Sequence, residues 1–138
     1  MRDEELDLAV RLNHEIFMLT SDRITDVLAE HGLTHATAQV LWALDPRQPP
    51  PSMKALAEQL FCNASNLTFM AGQLTDRGLV ERVVDPVDRR SRALVLTEDG
   101  VRVRTAVMRA TLDRSPFAAL DREQLRTVLT LLEAALGR

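Results

Sequence analysis

Six side chains between residues 63 and 73 could read a surface without breaking a bond: Asn63, Ser65, Asn66, Thr68, Phe69 and Gln73. Asn and Gln offer a donor and an acceptor together and can pair with an adenine edge. Ser and Thr can bond several base edges, and a phenyl ring can touch a thymine methyl. Some fifteen residues further on, Asp88-Arg89-Arg90-Ser91-Arg92 gathers three arginines. A guanidinium carried on a loop tip can lie in a narrow minor groove, where the negative potential is strongest. Asp88 stands two residues before Arg90, close enough to pair with it and hold its guanidinium forward. The chemistry on offer is hydrogen bonding and charge pairing with duplex DNA.

The elements that must position these groups follow from periodicity. Residues 64–77 read as a helix. At 100° per residue, Leu67, Met70, Ala71 and Leu74 share one side and pack inward. Ser65, Phe69, Gly72 and Asp76 point the opposite way, with Asn66, Thr68 and Gln73 flanking them. An ordinary amphipathic helix with a solvated face would show the same pattern, so the segments around it carry the argument. Ser52 is a good N-cap for a helix over about 53–60, and a break at Phe61-Cys62-Asn63 separates the two. Leu56, Leu60, Cys62, Leu67 and Met70, with small Ala57 at the crossing, have helix-turn-helix spacing. Gly78 marks the stop of the second helix. The period then changes to two: Val80–Val84 and Arg92–Leu96 predict strands around a polar turn, hence a hairpin with arginines at its tip.

Outside this region, residues 4–31 read as one long helix and Thr34 starts another over about 35–44. The proline-rich run 45–51 is an extended connector. Thr97 caps a fifth helix, Ser115-Pro116 ends it, and Asp121 caps a last one with an apolar stripe of Leu125, Val128, Leu129, Leu132 and Leu136. The fold class is mainly α with a small β-hairpin.

The composition allows this and narrows the rest. A chain of 138 residues with 46% hydrophobic side chains suits one domain with a real core. Aromatics are only 4%, too few for a base-stacking RNA surface. The net charge of −3 is unevenly spread. Residues 1–62 hold 5 basic against 10 acidic groups, residues 63–97 hold 5 against 4, and residues 98–138 hold 7 against 6. Such a distribution permits local phosphate contact without demanding it. One cysteine, Cys62, excludes an internal disulfide and a four-cysteine zinc site, and its apolar turn position predicts a buried, inert thiol. His14, His31 and His35 lack metal-ligand spacing, so no metal and no cofactor is expected. No segment is apolar enough to span a bilayer and the acidic N-terminus lacks a secretory run, so no membrane partner and a cytoplasmic location are expected. There is no phosphate loop, nucleophile elbow or metal motif, and an enzyme is not expected.

Leu33-Thr34, Gln39-Val40-Leu41, Leu56-Ala57, Gly78-Leu79-Val80, Asp88-Arg89-Arg90 and Leu96-Thr97-Glu98-Asp99-Gly100 together resemble the MarR (multiple antibiotic resistance regulator) family. The Asp-x-Arg wing shortly before a Leu-Thr-x-x-Gly helix start is the most specific part. The resemblance implies a single domain over 1–138, with a winged helix-turn-helix lobe over 33–113 and dimerisation helices over 4–31 and 116–138. It implies a homodimer that binds a palindromic operator in double-stranded DNA, by default as a repressor, with helix 64–77 in the major groove. Arg90 is then the wing contact, beside Arg89 and Arg92, and Asp88 its support. A small hydrophobic effector is implied as well, with His14, Met18 and Trp42 as candidate neighbours. A winged-helix module that binds protein instead of DNA is the competing reading. The chain departs from the family pattern in two places. Phe69 stands where an arginine is usual, with no Lys or Arg from Asn63 to Asp76, and Phe61 stands where the turn commonly has glycine. Base readout is therefore expected to be weaker or more apolar.

Overall fold

The two periodicities become seven α-helices and one hairpin in a computed structural model that describes residues 1–138. In chain order these are α1 (Arg2–Arg23), α2 (Thr25–Glu30), α3 (His35–Ala43), α4 (Met53–Gln59), α5 (Ala64–Asp76), β1 (Val80–Val84), β2 (Arg92–Leu96) and α6 (Glu98–Arg114). A 3-10 turn (Pro116–Ala119) and α7 (Arg122–Ala135) complete the chain. The chain divides into two units: Thr25–Met108 forms one, and Met1–Ile24 with Arg109–Arg138 forms the other.

The Thr25–Met108 unit holds the core. Leu28, Leu41, Leu56, Leu67, Leu74 and Leu94 are almost wholly buried, together with Val40 and Val80. Its helices start where side chains satisfy the free N–H groups of the first turn. Thr34 forms a capping box with Thr37, the Ser52 oxygen accepts from the Ala55 N–H, and Asn63 Oδ1 accepts from the Asn66 N–H at 2.7 Å. β1 and β2 pair antiparallel from Val80 opposite Leu96 to Val84 opposite Arg92. A further bridge between Ser52 and Ala93 ties the start of α4 to the sheet.

The join between helix α5, the sheet and α6 is tight. Gly78 takes a positive φ of 72°, which lets the Leu79 N–H turn back to the Leu74 carbonyl at 3.0 Å. Thr97 donates to the Gly78 carbonyl at 2.6 Å and accepts from the Gly100 N–H at 2.9 Å. A Cβ on Gly100 would lie 1.9 Å from the Leu79 carbonyl oxygen. Gly100→Ala should therefore destabilise the unit by about 1–3 kcal/mol, the usual cost of overpacking. A lowered urea midpoint with an unchanged slope would show it. Arg104 completes the unit by donating to the Leu41 and Trp42 carbonyls, both at 3.0 Å, at the end of α3.

In the other unit neither α1 nor α7 has a single buried residue. Arg23 and Arg114 each donate to the other's backbone carbonyl, at 3.0 and 2.8 Å, so each cation sits at the carbonyl end of a helix.

Residues 4–31, expected as one helix, are two. α1 ends at Arg23, and Ile24 leaves the helical conformation at φ −104°, ψ 1°. Ile24-Thr25 is a β-branched pair of modest helix propensity. The burial pattern also changes there: Ile24, Val27 and Leu28 are buried, while α1 buries nothing.

Candidate nucleic-acid interface

α5 has two sides of opposite character. Leu67, Ala71 and Leu74 are buried against the unit's core. Met70, expected to be buried with them, is only half-buried because it borders a groove. Ser65, Asn66, Thr68 and Gln73 are exposed, and Phe69 is 69% exposed. A Cβ on Gly72, at the middle of this face, would meet nothing within 4 Å. Asn63 is exposed as well, but its side-chain oxygen is engaged in capping α5.

The groove beside Met70 has a volume of about 440 Å³ and runs between the start of α3 and α5, past Leu60, Cys62 and Phe69. Cys62 is half-buried at its wall rather than sealed in the core. Beside it in the same turn, Phe61 adopts a positive φ of 53° and projects into solvent at 98% exposure. The Cys62 N–H still bonds the Ala57 carbonyl at 3.0 Å, which fixes the angle between α4 and α5.

The hairpin tip is built by two carboxylates. Asp85 is buried, and its Oδ1 accepts from the Val87 N–H at 2.8 Å and the Asp88 N–H at 3.3 Å. Its own N–H donates to the Ser91 carbonyl at 3.0 Å. The Asp85 carboxylate thus satisfies backbone donors that the turn leaves free. Asp88 Oδ1 accepts from the Arg90 N–H at 3.1 Å and from Arg90 Nε at 3.2 Å. The Arg90 backbone N–H and then its guanidinium hold the Asp88 carboxyl below its ordinary range, so it is ionised at neutral pH. The Arg90 side chain nevertheless stays 92% exposed. It is oriented by its carboxylate without being covered. Arg89 and Arg92 are exposed beside it.

Two further cations were missed in the sequence. Arg82 on β1 donates to the Thr68 carbonyl at 3.3 Å, which sets a positive charge against the flank of α5. Lys54 on α4 borders a cleft with Ser52, Asp88, Ser91 and Arg92. Strand alternation puts Arg82 on the same side of β1 as Val80 and Val84, but nothing in the spacing says that it reaches α5. Lys54 becomes relevant only once the Ser52–Ala93 bridge draws the start of α4 to the wing.

His14 and Met18 are exposed on α1, in one unit, and Trp42 is 40% exposed on α3, in the other. No group of three or more His, Cys, Asp or Glu side chains is gathered as a metal site would require. No helix is long and apolar enough to cross a membrane.

The MarR family model matches residues 31–91, from just after α2 to the turn before β2. The HTH-type transcriptional regulator SarZ of Staphylococcus haemolyticus (strain JCSC1435) is 27% identical over 82 residues, 59% of this chain and 55% of that protein. The match thus spans about half the length of this curated relative. Among solved structures, the transcriptional repressor CouR bound to a 23-mer DNA duplex is 27% identical, with a TM-score of 0.74, over 99% of this chain and 94% of that one. A MarR transcriptional regulator from Methanosarcina mazei Go1 superposes with a TM-score of 0.82 at 20% identity, covering 95% of both chains. The latter shows the shared fold.

Proposed function

We propose that this chain, whose residues 31–91 match the MarR family model, is a sequence-specific regulator of transcription that binds double-stranded DNA as a homodimer. The observation that carries this reading is the pairing of an exposed polar face on α5 with an exposed Arg90 that Asp88 orients at the wing tip. α5 enters the major groove, about 12 Å wide, with Ser65, Asn66, Thr68, Phe69 and Gln73 toward the bases. Arg90 enters the neighbouring minor groove, with Arg89 and Arg92 on the phosphates beside it. Asn63 holds the first turn of α5, and its exposed amide approaches the backbone. Lys54 and Arg82 add phosphate contacts that anchor the lobe.

α1 and the segment 116–138 form the dimer interface, and residues 33–113 form the DNA-binding lobe. The apolar surface left uncovered on α1 and α7 supports this division. A two-fold dimer presents two α5 helices to half-sites about 34 Å apart, and the operator is a palindrome. The regulator acts in the cytoplasm as a repressor whose grip is altered by a small hydrophobic effector, and it is not an enzyme.

Selection of bound sequences from a random duplex library tests the reading. The expected result is a palindromic consensus with its half-sites about one helical turn apart. Recovery of no consensus, with no affinity for any duplex even at low salt, would favour a winged-helix module that binds protein.

A further inference from the structure

The turn between α4 and α5 holds an unexplained residue. Phe61 occupies a left-handed backbone conformation, φ 53°, that glycine adopts freely and a phenylalanine only at a cost. Its ring gives nothing back in packing, since the residue is 98% exposed. A strained residue with no structural return is a candidate for a role at the surface it meets. One residue separates it from Asn63, the cap of α5, so it stands at the end of the helix that goes deepest into the groove. A second ring, Phe69, is 69% exposed on the outward face of α5. That helix carries no lysine or arginine, the side chains that pair with guanine O6 and N7. One bare ring on the outward face of α5, a second beside its N-cap and the absence of a cation from that helix share one complement on duplex DNA: the thymine 5-methyl group, the apolar feature of the major-groove floor.

We propose that Phe61 and Phe69 are specificity-determining residues that recognise thymine methyl groups, so that the protein selects thymines in each half-site where guanine contacts would otherwise lie. This inference rests on the DNA-binding reading above. It adds Phe61 to the contact set and names what both rings read.

The test uses the full-length protein and the duplex recovered by selection, with each thymine replaced in turn by deoxyuridine. That change removes one methyl and leaves every hydrogen-bonding group in place. Affinity is followed by fluorescence anisotropy. The wild-type protein should lose about fourfold at each contacted thymine, the effect of one buried carbon. In Phe69→Ala, affinity for the thymine duplex should fall by a similar factor, with no further loss on deoxyuridine at one of these positions. Phe61→Gly should behave likewise at a different thymine, and its urea midpoint should hold or rise because glycine relieves the turn. Equal binding of thymine and deoxyuridine duplexes by the wild type overturns the inference and leaves DNA binding standing. A deoxyuridine loss that persists undiminished at every thymine in Phe61→Gly removes Phe61 from the contact set. Failure to bind any duplex removes the regulator reading and this inference with it.

Discussion

Replacing Arg90 with alanine should weaken binding to the selected duplex by about thirtyfold at 0.15 M salt, the range of a lost charge-assisted contact. The slope of log K against log salt should flatten by about one for each phosphate contact removed. The expectation rests on how the wing is made. Asp85 spends its carboxylate on two backbone N–H groups, so the tip is fixed from within. Asp88 then takes the Arg90 N–H and Nε, which limits the directions open to a side chain that is otherwise 92% exposed. An exposed ion pair of this kind contributes little to stability. Its value lies in orientation, so Arg90→Ala should leave the unfolding midpoint almost unchanged while affinity falls. The pairing persists at neutral pH because the Asp88 carboxyl is held below its ordinary range. It loosens only as pH falls through that lowered value. Unchanged affinity and slope in Arg90→Ala would mean that the wing does not touch DNA.

The second large effect concerns assembly. The wild-type protein should sediment at twice the 15.5 kDa of the chain at micromolar concentration. The double variant Leu129→Glu, Leu132→Glu should sediment at the mass of one chain and lose at least about a hundredfold in operator affinity. α7 and its C-cap leave Leu125, Leu129, Leu131, Leu132 and Leu136 between 37% and 66% exposed. α1 leaves Leu6, Leu8, Val10, Leu12, Phe17, Met18 and Leu19 between 36% and 61% exposed. Surfaces this apolar are rare on monomers. Joining two lobes makes engagement of the second half-site intramolecular, which commonly raises affinity by about 10² to 10⁴. Two glutamates on α7 oppose that union by charge and desolvation without touching the core around Leu56 and Leu67. A wild-type mass near that of one chain, or full operator affinity in a variant shown to be monomeric, would contradict the dimer.

Much of the lobe could be read before any coordinates because its signals are local. Ser52, Thr97 and Asp121 mark helix starts by side-chain capping, and all three accept the expected backbone N–H. Gly78 marks a stop because few other residues take its φ. The hairpin followed from the change of period at Val80. The misses are of another kind. The break at Ile24 is hidden because apolar residues continue at helical spacing from Leu19 to Leu28 while the surface they face changes. Cys62 and Met70 were placed in the core by face alone, but a groove opens beside them. The Ser52–Ala93 bridge, the reach of Arg82 to Thr68, and the approach of Lys54 to the wing join residues distant in sequence. Periodicity carries no record of such contacts. The exposed side of α5 was legible from 100° per residue, whereas the strain at Phe61 emerged only from the backbone dihedrals.

Dimethyl sulfate protection of the selected duplex, with a guanine on either strand within each half-site, tests the central claim most directly, because the reagent methylates guanine N7 in the major groove and adenine N3 in the minor groove. The account predicts two major-groove patches of protection about one helical turn apart, each adjoined by a minor-groove patch. Arg90→Ala should abolish the minor-groove patches and spare the others. A footprint confined to one groove, or minor-groove protection that survives in Arg90→Ala, would contradict it.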